Sequence, residues 1–318
     1  GTDDRQAEAV ARHYVKIYEE SVLRNFAEKN ERFIYLFKRA EEDAIRTVLD
    51  TVAELRKTKF VPLAFELNFG DSRVFPGIRL QNGKDTLMLT GIADRVDGWE
   101  HNGKVYIRVI DYKTGEKKFS FSDLWYGTSL QLVLYLLALE SNPHAAEKAL
   151  QISEETELCP AGAVYQHAKS KYLSLDRMEE EETIQKERNK NLRRSGIVLG
   201  SDDVPEAWET GEEKIYSPVK TNKKGEPVGE GLISPEQLDL LIRHIRKLLD
   251  DMSSQVRSGA IQADPYRVGN GEICCRLCSL NGTCGFEDGV NGETCRILGE
   301  WNKDAVLEAM EKEVSEDE

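Results

Sequence analysis

The chain has 318 residues, of which 40% are hydrophobic, enough for one large or two ordinary domains with a real core and too apolar for a disordered chain. No apolar run reaches about 18 residues, which excludes a membrane-spanning helix, and the polar start lacks the basic-then-apolar layout of a signal peptide. Asp and Glu number 57 against 43 Lys and Arg, a net charge of −14, which excludes a nucleic-acid binder that is basic over its whole surface but not a site that gathers metal ions with carboxylates. A leading Gly1 in place of Met, before a polar helical stretch, predicts a piece of a longer protein, and the cysteine usage described below predicts a reducing, cytoplasmic setting.

Residues 3–57 read as two or three amphipathic helices, with apolar residues at 3–4 residue spacing (Val15, Tyr18, Val22 and Phe26; Ile45, Val48, Leu49 and Val52) and Pro62 closing the run. From residue 63 the period becomes two. Strands are predicted over 63–69, 86–97 and 104–113, the last two joined by a turn at Asn102-Gly103, and their order suggests consecutive antiparallel pairing. A helix capped by Ser122 or Asp123 is predicted to Leu139. Its middle is apolar nearly all round, so it should be buried on most sides. Residues 161–167 read as a further strand, 176–195 as a charged helix, 201–213 as a polar connection and 216–228 as a hairpin. Ser234-Pro235-Glu236 starts a long helix to about Val256. Residues 259–300 form a Gly- and Cys-rich module. The tail beyond 301 and the run Glu179-Glu180-Glu181-Glu182 are strongly acidic and read as solvated surface.

Two features carry chemistry. Asp111 and Lys113, two apart on the predicted third strand, share one face of it. Asp94 on the neighbouring strand can approach Asp111, and Glu66 lies on the first strand. Carboxylates converging beside a lysine suit a hard divalent cation such as Mg²⁺, or Mn²⁺, with the Tyr112 carbonyl as a further ligand. Such a cation would activate a bound water, and the lysine would orient that water or stabilise charge on phosphorus. An Asp-x-Lys triplet alone is also what an ordinary strand-end salt bridge looks like. Six cysteines are present, four of them within residues 274–284. Without a signal peptide they suit a metal site better than disulfides. Cys275, Cys278 and Cys284 give C-x2-C-x5-C, a spacing open to zinc, with Cys274 or Cys295 as fourth ligand, or to an iron–sulfur cluster. Cys159 reads as a buried structural thiol.

Residues 91–97 around Asp94, residues 109–115 around Asp111 and Lys113, and Gln131 with Tyr135 together resemble the PD-(D/E)xK nuclease superfamily. More narrowly they resemble the C-terminal nuclease domain of the B subunit of AddAB-type helicase–nucleases, relatives of RecB. Residues 65–70 around Glu66, 194–199 and 259–266 resemble further segments of that family, so the likeness spans roughly 60 to 290. The resemblance implies an α/β, restriction-endonuclease-like core: a central mixed sheet flanked by helices, with an N-terminal helical segment and a C-terminal Cys-rich module. The expected segments are 1–60 helical, 61–258 the nuclease core with an insertion near 170–230, 259–300 the Cys-rich module and 301–318 the acidic tail.

By the same resemblance, Asp94 and Asp111 would hold metal and Lys113 would be the catalytic lysine. Glu66 would support the site, and Gln131 and Tyr135 would face it or the DNA from one helical face. Cys275, Cys278 and Cys284, with one upstream Cys, would hold a [4Fe–4S] cluster. The implied activity is metal-dependent hydrolysis of DNA phosphodiesters in the processing of double-strand-break ends, with a partner helicase–nuclease subunit and no membrane. A CRISPR-associated Fe–S exonuclease and a catalytically silent DNA-end-binding or structural module of the same fold are the alternatives. No Walker-type loop is present, so ATP binding is not expected here. Two family elements are missing. His13 lacks the family's preceding Gly and does not match its upstream metal-binding His, and no Cys occurs in residues 3–57. The chain is therefore expected to be an impaired enzyme with an incomplete metal inventory. Arg95, Lys117, Lys118, Lys169 and Lys171 are expected to ring the site and meet DNA.

Overall fold

The structure, a computed structural model, describes residues 3–70, 75–82, 85–153, 156–169, 180–201 and 203–317. The chain clusters into two compact units, one made of Gly1–Gly77, Thr90–Phe119 and Leu132–Pro235, the other of Ile78–Leu89, Ser120–Gln131 and Glu236–Glu318. Among the described residues no helix is long and apolar enough to cross a membrane.

The first unit opens with α1 (Asp4–Tyr18), which runs through a π-type turn into Arg24 and Asn25, both at positive φ. That break reverses the chain, and Asn30 then caps α2 (Glu31–Leu55) by accepting the Phe33 N–H at 2.9 Å. Six strands follow in one mixed sheet, ordered β1 (Val61–Phe69), β4 (Gly91–His101), β5 (Lys104–Lys113), β6 (Glu157–His167), β7 (Ser195–Leu199) and β10 (Leu232–Ile233). The first three pair antiparallel, as the sequence predicts, and β6 then joins β5 in parallel. The parallel step needs a crossover, supplied by α4 (Gln131–Ser141) and α5 (Pro143–Leu150). Six residues of α4 are buried, including Tyr135, as expected for a helix apolar all round. Beyond β6 lie α6 (Glu181–Leu192), α7 (Val204–Trp208) and a small hairpin, β8 (Lys220–Thr221) with β9 (Pro227–Val228). The strands β6 and β7 approach very closely. A Cβ on Gly162 would lie 2.1 Å from the Ile197 carbonyl oxygen, and Gly162 sits at φ +141, so no other residue fits there.

The second unit contains the hairpin β2 (Ile78–Asn82) with β3 (Asp85–Leu89), then α3 (Phe121–Trp125) and α8 (Pro235–Ser258). It continues with β11 (Tyr266–Val268), α9 (Asn281–Cys284), β12 (Arg296–Leu298) and α10 (Lys303–Asp317). Trp125 stacks between His244, with ring centroids 4.7 Å apart, and Trp301, at 5.7 Å. The His244 ring meets the Glu313 carboxylate at 2.5 Å and the Trp125 carbonyl at 3.1 Å. The acidic C-terminal stretch is thus not merely solvated: in α10, Val306, Leu307 and Met310 are buried and Glu313 has a defined partner.

Two predicted elements divide. The strand expected over 86–97 is β3 and β4, separated at Thr90, because β3 pairs with β2 and not with the central sheet. The helix expected from Ser122 to Leu139 breaks after α3, where Gly127 takes φ +71, and restarts as α4 at Gln131. The N-cap is Ser120, whose hydroxyl accepts the Asp123 N–H. Residues 201–213 are not simply a polar connection, since Val204, Ala207 and Trp208 of α7 are fully buried. Cys159 is half-buried and packs against the core cluster around Trp208, short of the full burial expected.

Beneath the sheet lies a set of fully buried charges. Arg95 and Asp97 on β4 and Arg108 on β5 point to the face covered by α2, where Glu54 waits. Arg95 Nε lies 3.0 Å from Asp97 Oδ1, Arg108 donates to Asp97 at 3.0 Å, and Arg194 donates to Glu54 at 2.7 Å. Arg108 also stacks over Phe60 and Trp208 and donates to the Trp208 carbonyl. Burial alone would push the Glu54 carboxyl up, but Arg194, Arg108 and Arg95 outweigh it and hold the group down at about 2. A depressed carboxyl contributes stability that is complete above its ordinary value near 4.5 and is lost as pH falls towards 2. Glu54→Gln, which leaves three buried guanidiniums short of a counter-charge, is expected to cost about 3–5 kcal/mol in urea unfolding at pH 7. The gap between parent and variant should narrow as pH falls from about 4.5 to 2, and a constant gap would refute the account.

Candidate active site

Because β4 and β5 pair with Arg95 opposite Ile110 and Asp97 opposite Arg108, the alternate residues Asp94 and Asp111 oppose each other on the other face. The hairpin that joins the two strands turns at Asn102 and Gly103, both at positive φ, the two-residue geometry that matches strand twist. Asp94 Oδ2 accepts the Tyr112 N–H at 2.6 Å. Asp111 is buried. Its Oδ1 accepts the hydroxyl of Tyr135 at 2.9 Å, and its Oδ2 lies 2.5 Å from Lys113 Nζ. The Tyr135 hydroxyl also lies 3.0 Å from the Ile92 carbonyl, and its ring meets Phe69 edge-on. Burial raises the Asp94 carboxyl, and Asp111 raises it further, against the Tyr112 N–H and Lys113. Two carboxylates brought level on neighbouring strands make a donor pair for a cation.

The donor set suits Mg²⁺, which is held by one or two carboxylates and keeps several waters. Among the described residues no group of three or more His, Cys, Asp or Glu side chains is arranged around a common ion position. At this point of the sheet the chain offers Asp94 and Asp111, with the Tyr112 carbonyl as a candidate further ligand.

Asp94, Asp111, Lys113 and Tyr135 thus come together as the sequence predicts. Glu66 sits on β1 between Phe65, opposite Arg95, and Leu67, opposite Ala93, which places it level with Asp94. It is exposed and takes φ +50, a left-handed conformation unusual for a glutamate within a strand. Gln131 is the first residue of α4 and is exposed, so it is not a polar side chain trapped in the apolar body of the helix. The Tyr112 side chain turns to the opposite face, where its hydroxyl accepts from Arg95 at 2.9 Å.

Arg95 cannot meet DNA. Its parity along β4 puts it on the buried face with Asp97 and Glu54. Lys118 and Lys169 are exposed and Lys117 is half-buried, while Lys171 lies outside the described residues. A residue missed from the sequence is Tyr165 on β6, opposite Asp111 in register, with Lys113 Nζ 5.4 Å from its ring centroid. Its signal is the alternation within the predicted strand 161–167, which only the parallel pairing makes meaningful. His13 is an exposed helix-face residue beside Tyr14, as expected.

In the second unit, Cys274 and Cys275 are half-buried, Cys278 and Cys284 exposed. Burial raises the Cys275 thiol first, and the proximity of Cys274, Cys278 and Cys284 raises it further. Cys274 accepts the Tyr266 N–H, and the Cys295 N–H donates to Asp288. The thiols are neighbours, yet to ligate one centre they would have to draw together.

A mixed sheet carrying two opposed carboxylates and a lysine two residues along defines the restriction-endonuclease-like class of nuclease folds. The chain belongs to the PD-(D/E)XK nuclease superfamily, which it matches over residues 2–285. It is similar to the B subunit of an ATP-dependent helicase/deoxyribonuclease of Thermoanaerobacter sp. (strain X514), 30% identical over 99% of this chain and 28% of the relative. Proteins of the same name from Caldanaerobacter subterraneus subsp. tengcongensis (31% identical) and Clostridium acetobutylicum (29%) match over 90% of this chain and 24% of their own length. The chain therefore spans about a quarter of the length of the curated relatives it matches.

The strained Glu66 provides a test of the local backbone. Glu66→Gly should keep or raise stability, by up to about 1 kcal/mol, because glycine loses the left-handed penalty but adds unfolded-state entropy. Glu66→Val should lose about 1–2 kcal/mol at the same φ. Thermal unfolding of both variants reads the difference, and equal shifts would show that the strand is not held in this conformation.

Proposed function

We propose that this chain is a metal-dependent deoxyribonuclease domain, of exonuclease type, acting on DNA ends as part of a larger helicase–nuclease subunit. The observation that carries the reading is the convergence of Asp94, Asp111, Lys113 and Tyr135 on one face of the sheet. Asp94 and Asp111 would hold Mg²⁺ or Mn²⁺, which when bound lowers the pKa of a water and neutralises phosphate charge. Tyr135 fixes the rotamer of Asp111 by donating to Oδ1, and Lys113 places a cation where charge accumulates on the phosphate. Tyr112, through its N–H, keeps Asp94 turned towards Asp111. Glu66 supports the site from the edge strand, and Gln131 contributes on the DNA side. The exposed Lys118 and Lys169, with Lys117, supply phosphate contacts along the strand ends. The names of the relatives support a DNA substrate and a partner subunit.

Cleavage of linear duplex DNA with and without Mg²⁺ tests this. Asp111→Ala should abolish cleavage with the far-UV circular dichroism unchanged. Lys113→Ala should reduce turnover by about 10²–10³-fold. Either variant cutting as fast as the parent removes the assignment, and binding without cutting by the parent favours a silent DNA-end-binding module.

We also propose that Cys275, Cys278 and Cys284 take a [4Fe–4S] cluster, with zinc as the alternative occupant. Three thiolates leave one position open, so a cluster held by this chain alone should be labile to oxygen. Anaerobic preparation followed by iron, sulfide and zinc analysis is expected to give less than one full cluster per chain. Four irons per chain, stable in air, would overturn that expectation.

A further inference from the structure

Lys113 is the last residue of β5, and among the neighbours of its ammonium are two of different kinds. One is Asp111 Oδ2, at 2.5 Å, and the other is the face of the Tyr165 ring, whose centroid is 5.4 Å away. Tyr165 is 1% exposed and stands directly opposite Asp111 across the parallel β5–β6 pair, so its ring forms part of the floor of the carboxylate site. Asp111 Oδ1 is committed to the Tyr135 hydroxyl. Its Oδ2 carries the ammonium, so a divalent cation held by Asp111 would compete with Lys113 for that carboxylate.

Asp111 cannot give that oxygen in full to both. Like charges at one carboxylate oxygen repel, and a lysine is a point charge on a flexible four-carbon stem with ample freedom to leave. An aromatic face attracts an ammonium without using any carboxylate oxygen. The Tyr165 ring is therefore a hold on Lys113 that survives when Asp111 turns to a metal.

We infer that Tyr165 is a positioning residue. Its ring face keeps the Lys113 ammonium beside the carboxylate pair while Asp111 serves as a ligand. The inference deepens the nuclease reading and rests on it for its catalytic consequence, but the hold itself is measurable without catalysis. The ring, not the hydroxyl, is what matters, which separates this role from simple hydrogen bonding. The packing role of a buried tyrosine is separated by whether its effect runs through Lys113.

The test uses the whole chain with lysines reductively ¹³C-dimethylated, a modification that keeps the charge, in the parent and in Tyr165→Phe, Tyr165→Leu and Lys113→Met. The Lys113 methyl signal is assigned by its disappearance in Lys113→Met. In the parent and in Tyr165→Phe it should lie upfield of lysines that face no aromatic ring, through the ring current, and it should stay there when Mg²⁺ is added. In Tyr165→Leu it should move to the position of an ordinary lysine. In parallel, Mg²⁺-dependent cleavage should show Tyr165→Phe retaining most of the parent turnover. Tyr165→Leu should lose about tenfold in kcat with KM for linear duplex unchanged, a size in keeping with a cation–π contact. In the Lys113→Met background Tyr165→Leu should have no further effect, since both act through one group.

A Lys113 signal unshifted in the parent, or one that does not move in Tyr165→Leu, overturns the inference. So does a Phe variant as impaired as the Leu variant, or a full additional loss in the Lys113→Met background. If Tyr165→Leu does not fold, the parent spectrum alone decides. If the parent does not cut DNA at all while the Lys113 signal behaves as described, the nuclease reading fails and the hold on Lys113 stands.

Discussion

Everything about the first unit turns on Glu54, a carboxylate that three arginines surround where no water reaches. Charges taken out of water are costly unless geometry returns the loss, and here it does so through pairs at 2.7–3.0 Å and through guanidiniums laid over aromatic rings. The arrangement ties α2, two central strands and Arg194 at the edge of β7 into one electrostatic unit. It also sets the strand register. Arg95, Asp97 and Arg108 satisfy one another only if they share the face that meets α2, and a slip of one residue would send each of them to the other side. Asp94 and Asp111 owe their position on the opposite face to this constraint. A buried ionic lattice on one side of the sheet specifies a carboxylate pair on the other.

The two faces also communicate through β5 itself. Tyr112 lies between Asp111 and Lys113. Its hydroxyl belongs to the Arg95 network, and its N–H belongs to Asp94. The same residue anchors the strand end in the lattice and aims a carboxylate. Opposite it along the strand, Tyr135 reaches in from the buried α4 to pin the second carboxylate. Each carboxylate is thus oriented by one neutral donor, the Tyr112 N–H for Asp94 and the Tyr135 hydroxyl for Asp111.

The carboxylate face is legible in the sequence because its signal is local. Asp94, Asp111 and Lys113 sit on strands whose period of two is plain, and a two-residue turn joins them. Tyr135 enters through the family resemblance, which pairs it with Gln131 on one helical face. The lattice is not legible, for a physical reason: an alternating strand with Arg95, Asp97 and Arg108 at every second position reads as solvent-facing on that side. Nothing local to β4 and β5 announces that Glu54 and Arg194 come from far along the chain to cover it, and so the sequence alone assigns Arg95 to DNA. The split of residues 86–97 into β3 and β4 is hidden by apolar residues on both sides of Thr90-Gly91, and the break at Gly127 by the length of apolar sequence behind it. The burial of Met310 and Trp208 is masked by the charged residues around them.

The hairpin turn at Asn102-Gly103 has a consequence in chain entropy. Asp94 and its partner Tyr112 are 18 residues apart, whereas Glu54 and Arg194 are 140 apart. Closing a loop costs about (3/2)RT ln n, so joining the second pair costs about 2 kcal/mol more than joining the first. The carboxylate site is thus the entropically cheap part of the unit. The lattice that fixes its register is the expensive part, and sequence changes that lengthen the chain between residues 54 and 194 act on the lattice while leaving the closure of the carboxylate pair untouched, provided they fall outside the hairpin.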